Sequence, residues 1–303
     1  MLIRKCDFTR NCVTKMGIKI FERARGDYGK VDAVKVGIGI IIVILVAFTA
    51  NYSLMQGEPY EADVVSTAYN LTYFAEEIGG DEIEVHSIVP AGECPGQHDY
   101  EPADVSAVAE ADLILTLGHE GGWLDDLIEA SGNTDVTLNV GPEDPWGPVP
   151  GAIKHIENIA DVMTSVYPHK EDTIEDRKEL LISSVEDCGD DLLDRAQEVG
   201  VNDVRVITQQ FQKGFVEWIG FEVVEVFSFP EHTSPGELVG TVQDEDVTII
   251  ISNRPSGTDV GKGVSSDTGI EHVVLRNFPE DTYCEMIRNN AEILFSAVES
   301  YEP

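Results

Sequence analysis

The chain has 303 residues, of which 56 are Asp or Glu and 20 are Lys or Arg, for a formal net charge of −36 at neutral pH. Apolar residues make up 42%, enough for real hydrophobic cores, so disorder is not the default state. A surface this acidic opposes nucleic acid and anionic membrane surfaces.

The charge is unevenly placed. Nine of the 20 basic and four of the 56 acidic residues fall within positions 1–35, so that stretch is +5 and the remainder, 11 basic against 52 acidic, is −41. Adaptation to a salty medium, where dense carboxylates stay hydrated and repulsion is screened, accounts for such a balance. Residues 36–50, "VGIGIIIVILVAFTA", carry no charge, and the run extends to Met55. Twenty helical residues span about 30 Å, the hydrocarbon thickness of a bilayer. Basic residues precede the run and Glu58, Glu61 and Asp63 follow it. The positive-inside rule then predicts a cytoplasmic tail at 1–35, a single-pass anchor in the cell membrane at 36–55, and everything after about residue 56 outside. A cleaved signal peptide is the rival, disfavoured by Phe48 at the −3 position for cleavage after Ala50.

After the apolar run, strands alternate with helices. Strands are predicted over 63–68, 83–89 and 113–117, and helices over 70–79, 103–111 and 123–130. Residues 142–151 hold four prolines and read as a rigid loop. Helical spacing follows over 152–166 and, at length, over 171–199, with Gly200 as its cap and Gly189 as its weak point. A second set of strands is predicted at 204–208, 222–227, 247–252 and 272–275, with helices at 214–219, from 235, and at 282–300. The fold class is therefore α/β with mostly parallel sheets: two lobes, 60–168 and 201–303, joined by a long backbone helix at 169–200, after the N-terminal membrane helix. No repeat is visible between the lobes.

Of the five cysteines, Cys6 and Cys12 precede the apolar run, and Cys94, Cys188 and Cys284 are widely spaced. This is not a disulfide-dense scaffold. "GTDVGKG" at 257–263 misses the P-loop spacing and lacks Ser or Thr after Lys262, which excludes nucleotide binding through it. Asn51 and Asn70 open chance-frequency glycosylation triplets.

The segment "STAYNLTYFAEEIGGDEIEVHSIVPAGECPGQHDYEPADVSAVAEADLILTLG", followed by "GGWLDDLIEASGN" and "IENIADVM", resembles the solute-binding proteins of zinc- and manganese-type ABC importers, the TroA-like metal-binding family. The resemblance covers about 62–301. It implies one metal ion held between two lobes and handed to a membrane permease driven by an ATPase. It also implies a monomer that is not an enzyme. The family's usual ligands are three His and a terminal carboxylate. His98 in H-D-Y-E-P matches the first. Asp144 stands where the second His belongs, Gln209 where the third belongs, and after the last strand no carboxylate appears until Glu280.

The residues themselves point the same way. His98 sits in a Gly/Pro loop after a strand, where ligand sites of open α/β sheets cluster. Cys94, four residues earlier, adds a soft donor suited to a late transition metal. His119 and Glu120 follow the next strand and are candidate replacement ligands, with Asp144 an oxygen donor and Gln209 a weak neutral one. From Glu58 to Asp144 there are 21 acidic residues and no Lys or Arg, a field that favours a cation. Of the other histidines, His86, His155, His169 and His232 read as packed or surface residues. The expected function is capture of a divalent transition-metal ion, with ordering of the loops at 92–98 and 119–122 on binding. Two alternatives are a same-fold binder of a metal chelate or cofactor, on which Trp123 and Trp146 would stack and which Arg254 and Arg276 would face, and a surface adhesin or sensor.

Overall fold

The chain divides into two units, Met1–Glu58 and Pro59–Pro303. A computed structural model describes residues 63–118, 120 and 122–300, all within the second. The basic tail and the apolar run at 36–55 lie outside the described residues. Among those described, no helix is long and apolar enough to cross a membrane.

The first lobe is built from β1 (Val64–Ser66), α1 (Tyr69–Gly79), β2 (Val85–Ser87), α2 (Pro102–Glu110), β3 (Leu113–Thr116), α3 (Gly122–Ser131) and β4 (Thr137–Val140). Its strands pair in the order β2-β1-β3-β4, all parallel. The uninterrupted runs Val64-Val65-Ser66 and Leu113-Ile114-Leu115-Thr116 are buried throughout, as central strands covered on both faces must be. The α1 helix buries Leu71, Phe74, Ala75 and Ile78. The start of α2 explains part of the H-D-Y-E-P element. Pro102 occupies its first turn, and Glu101 and Asp104 form a capping box. The other carboxylate oxygen of Asp104 holds His86 Nε2 at 2.8 Å. The Glu-Pro half of the element is thus a helix start, leaving the His-Asp-Tyr half free of that duty.

The second lobe repeats the plan. It contains β5 (Arg205–Gln209), α6 (Lys213–Trp218), β6 (Glu222–Phe227), α7 (Pro235–Asp244), β7 (Ile249–Asn253), α8 (Asp259–Thr268), β8 (Glu271–Leu275) and α9 (Tyr283–Ser300). Its order is β6-β5-β7-β8, again parallel. The lobes therefore share one topology with no visible sequence repeat, because burial patterns rather than residue identities specify it. The near-miss phosphate motif falls at the start of α8. There a Cβ on Gly261 would lie 2.4 Å from Ser252 Oγ and 2.5 Å from His272 Nε2, so this glycine serves helix–sheet packing.

Between the lobes run α4 (Val149–Val166) and α5 (Glu171–Val199). The α5 helix has the expected bounds and ends on Gly200 in the left-handed region, φ 79°. At 29 residues it is roughly 44 Å long. It packs against α1 and α4 on one side and α9 on the other. Gly189 proves to be a crossing point: a Cβ there would meet Val149 Cγ2 at 2.7 Å and Trp218 Cζ2 at 3.3 Å. One continuous core runs from Val64 and Phe74 through Val185 and Leu192 to Phe215, Tyr283 and Leu294. Satellite cores cover the outer faces of the two sheets.

Two expectations need correction. The α4 helix starts at Val149 rather than 152, because Pro150 in the first turn gives up an N–H that has no intrahelical partner anyway. The rigid loop therefore ends at Pro148. The β4 strand, like the α8 helix, is not among the expected elements. It lies at the sheet edge with Leu138 48% and Val140 55% exposed, so no buried alternation marks it in the sequence.

Candidate ligand-binding cleft

The carboxyl ends of the strands in both sheets converge on a cavity of about 270 Å³ between the lobes. From the first lobe come Cys94 after β2, Leu117 and Glu120 after β3, and Trp146 after β4. From the second come Phe211 after β5, Phe229 after β6, Asn253 and Ser256 at β7, and Asn277 and Phe278 after β8. A neighbouring cavity of about 190 Å³ shares Leu117, Trp146, Phe211 and Asn277. A larger depression of about 1030 Å³ runs along edge strand β8 against α9.

In each sheet the chain reverses its direction of travel between the two central strands, β1/β3 and β5/β7. Such switch points open the crevice where ligands of open α/β sheets bind. At the first lies Glu120, only 4% exposed. Its Oε1 accepts hydrogen bonds from the Thr67 hydroxyl at 2.5 Å and the Leu117 N–H at 2.7 Å. Burial pushes its pKa up, but the donors from Thr116, Thr67 and the Leu117 backbone outweigh that, and the net shift is below the usual carboxylate range. Glu120 is therefore a buried anion at neutral pH. At the second switch point Gln212 Nε2 donates to Asn253 Oδ1 at 2.9 Å, and Asn253 Nδ2 donates to Ser256 Oγ at 2.7 Å.

Aromatic rings form the walls. Trp146 and Phe278, from opposite lobes, have centroids 5.4 Å apart, and Phe211 and Phe229 are 5.8 Å apart. Three hydrogen bonds tie the lobes around the cavity. Trp146 Nε1–H donates to Asn277 O at 2.5 Å, Gly92 N–H to Pro279 O at 2.9 Å, and the Tyr283 hydroxyl to Gly147 O at 2.8 Å. His155 supports the Trp146 loop from beneath. It is 1% exposed, its Nε2 is 2.9 Å from Asp144 O, and its ring meets Trp146 edge-on. Burial pushes its pKa below the ordinary imidazole value despite the nearby Asp144.

Of the six candidate donors, Cys94 and Glu120 line the main cavity. His98 does not line it. Its Nδ1 is 3.6 Å from Glu93 Oε2, and its Nε2 is buried with no hydrogen-bond partner among the described residues. Asp144 lines the neighbouring cavity, where its carboxylate pairs with Lys154, whose hydrogen bond holds its pKa below the usual range. Gln209 ends β5, 1% exposed, with Oε1 accepting from Phe211 N–H at 2.8 Å. His119 lies outside the described residues. Among the described residues no three His, Cys, Asp or Glu side chains converge as a metal cluster. Arg276 lines the neighbouring cavity and pairs with Glu280. Trp123 packs on the outer core of the first lobe, away from Trp146.

Sequence reasoning missed Asn253, Asn277 and the three phenylalanines. A signal existed. Phe211, Phe229 and Phe278 each stand two or three residues beyond a strand of the second lobe, at the sheet edge where ligand sites of open α/β folds cluster.

Residues 64–297 match the family model described as ZnuA, "Zinc-uptake complex component A periplasmic". The chain is 24% identical over 253 residues to the manganese-binding lipoprotein MntA of Halalkalibacterium halodurans, spanning 74% of this chain and 84% of that protein. It is similar in fold to the Mn-bound periplasmic metal binding protein from Candidatus Liberibacter asiaticus, with a TM-score of 0.66, 17% identity, and coverage of 78% and 98%. It also resembles a mutant of the laminin-binding adhesin of Streptococcus agalactiae, with a TM-score of 0.64, 18% identity, and coverage of 78% and 99%. Since the family match extends over both lobes and the helix between them, this chain belongs to the ZnuA family of periplasmic zinc-uptake components.

Proposed function

We propose that this chain is the extracytoplasmic solute-binding component of an ABC importer for a divalent transition metal of the zinc or manganese type. One observation carries the reading. In a chain of this family, the strand ends of both sheets meet on one cavity that holds a buried carboxylate, Glu120. Its partners would be a permease and an ATPase, with the apolar run at 36–55 holding the chain at the membrane and the acidic lobes outside. The domain limits follow: a tail at 1–35, lobes at 60–168 and 201–303, and the linking helix at 169–200. The chain would act as a monomer and by binding, not by catalysis. The continuous core through α5 restricts lobe rotation, so cargo exchange would proceed through the loops at 92–98 and 119–122.

The test is elemental analysis of the full-length chain purified with detergent from metal-replete medium. The expected result is one zinc or manganese per chain, reduced in Glu120→Ala. Metal content no higher than that of an unrelated, equally acidic protein refutes the reading. The likeness to the laminin-binding adhesin favours a second role at the cell surface. Laminin binding by the chain, unchanged in Glu120→Ala, would support it.

A further inference from the structure

Glu120 is the one charged side chain among the described residues lining the main cavity. Its Oε1 is held by the Thr67 hydroxyl and the Leu117 N–H, and a positive ligand would add the counter-charge that favours a buried carboxylate. Among the described residues lining this cavity no Lys or Arg supplies that charge: Arg276 lines the neighbouring cavity and is engaged by Glu280. A positive cargo therefore suits the site.

The remaining described walls do not suit a bare ion. Zinc takes three or four protein donors in a tight polyhedron. Among the described residues only Cys94 and Glu120 bring such groups to this cavity, and no cluster of three exists. Instead Trp146, Phe211, Phe229 and Phe278 present ring carbon. A volume of about 270 Å³ corresponds to roughly nine waters at about 30 Å³ each, far more than one ion occupies. Asn277, 8% exposed, points a buried Oδ1 that has no partner among the described residues. It lacks a donor that an organic ligand would carry. Phe211 is 43% exposed and its ring meets Phe229 on the cavity wall.

Resting on the metal-import reading above, we infer that the cargo enters this cavity as a cationic metal–organic complex, its charge facing Glu120 and its organic shell packed between the Trp146–Phe278 and Phe211–Phe229 pairs. The chelator supplies the metal donors that the described residues of the cleft lack, and the aromatic walls recognise its apolar faces.

Calorimetric titration of the full-length chain in detergent tests this with three probes: Zn²⁺ alone, 1,10-phenanthroline alone, and their equimolar complex. The complex should bind one per chain at least tenfold tighter than either component. Phe211→Ala and, separately, Phe229→Ala should each weaken the complex tenfold or more and leave any residual Zn²⁺ affinity unchanged. Glu120→Gln should weaken the complex but not the neutral chelator. Circular dichroism checks that each variant is folded. If Zn²⁺ alone binds as tightly as the complex, and the affinity is lost in His98→Ala or His119→Ala, the inference fails and the metal-import reading stands. If phenanthroline alone binds as tightly as the complex, or if no probe binds, both fail.

Discussion

Gly151→Ala sets two physical effects against each other, and the structure decides between them. Gly151 lies in the first turn of α4. Helix propensity alone favours alanine there by at most about 1 kcal/mol. However, a Cβ at this position would lie 1.9 Å from Pro145 O and 2.9 Å from Pro145 C. Ordinary contact begins near 3.4 Å, so the Pro145 peptide must withdraw by 3.4 less 1.9, about 1.5 Å. The obstacle is backbone, and the next residue is Trp146, held by its indole hydrogen bond to Asn277 O. Overpacking of this kind costs about 1–3 kcal/mol, at the upper end when no flexible side chain can yield. The net expectation is destabilisation by about 1–2 kcal/mol. Urea unfolding followed by far-ultraviolet circular dichroism measures it as a lower midpoint at unchanged slope. Gly240→Ala and Gly263→Ala are the controls. Both sit in helices with nothing within 4 Å of the added Cβ, and each should gain about 0.5–1 kcal/mol. A Gly151→Ala chain as stable as its parent, or more so, refutes the reasoning.

Three further outcomes follow from the same geometry. Trp146→Phe keeps a ring against Phe278 but removes the indole donor to Asn277 O, so stability should fall by about 0.5–1.5 kcal/mol in the urea assay. His155 is pushed below its ordinary pKa by burial, so the unfolded chain binds that proton more readily than the folded one. Stability should be full above pH of about 6.5 and fall as pH drops from there toward the folded-state value. In His155→Gln that component of the acid loss should disappear, read as the difference between the two stability–pH curves from pH 7 to 5. In the folded chain Cys94 faces the cavity, Cys188 is 1% exposed, and the hydrogen bond to Cys188 together with burial pushes the Cys284 thiol up. Iodoacetamide mapping by mass spectrometry at pH 8 should therefore find Cys94 modified fastest of the three.

Much of the architecture is legible in the sequence. The helix over 171–199 was readable because its apolar spacing continues unbroken until Gly200, whose left-handed backbone ends it. The central strands were readable because burial on both faces demands uninterrupted apolar runs. The edge strand β4 was not, since neither of its faces is buried in a regular pattern. The site divided in the same way. Glu120 could be suspected because it follows a strand, yet its standing as a buried anion depends on Thr67, more than fifty residues earlier in the chain.

The sequence by itself therefore determined the alternation of strands and helices, the parallel sheets, the linking helix and the acidic, cation-favouring character. Each of these depends on local periodicity or on summed charge. Only the tertiary structure decided which loops face one another. It paired Trp146 with Phe278 and Asn277, placed Cys94 and Glu120 on the cavity, and put His98 and Asp144 elsewhere. The physical reason is that periodicity encodes which face of an element is buried. What a strand-end loop meets across a cleft is set by how two separately specified lobes dock on a shared helix.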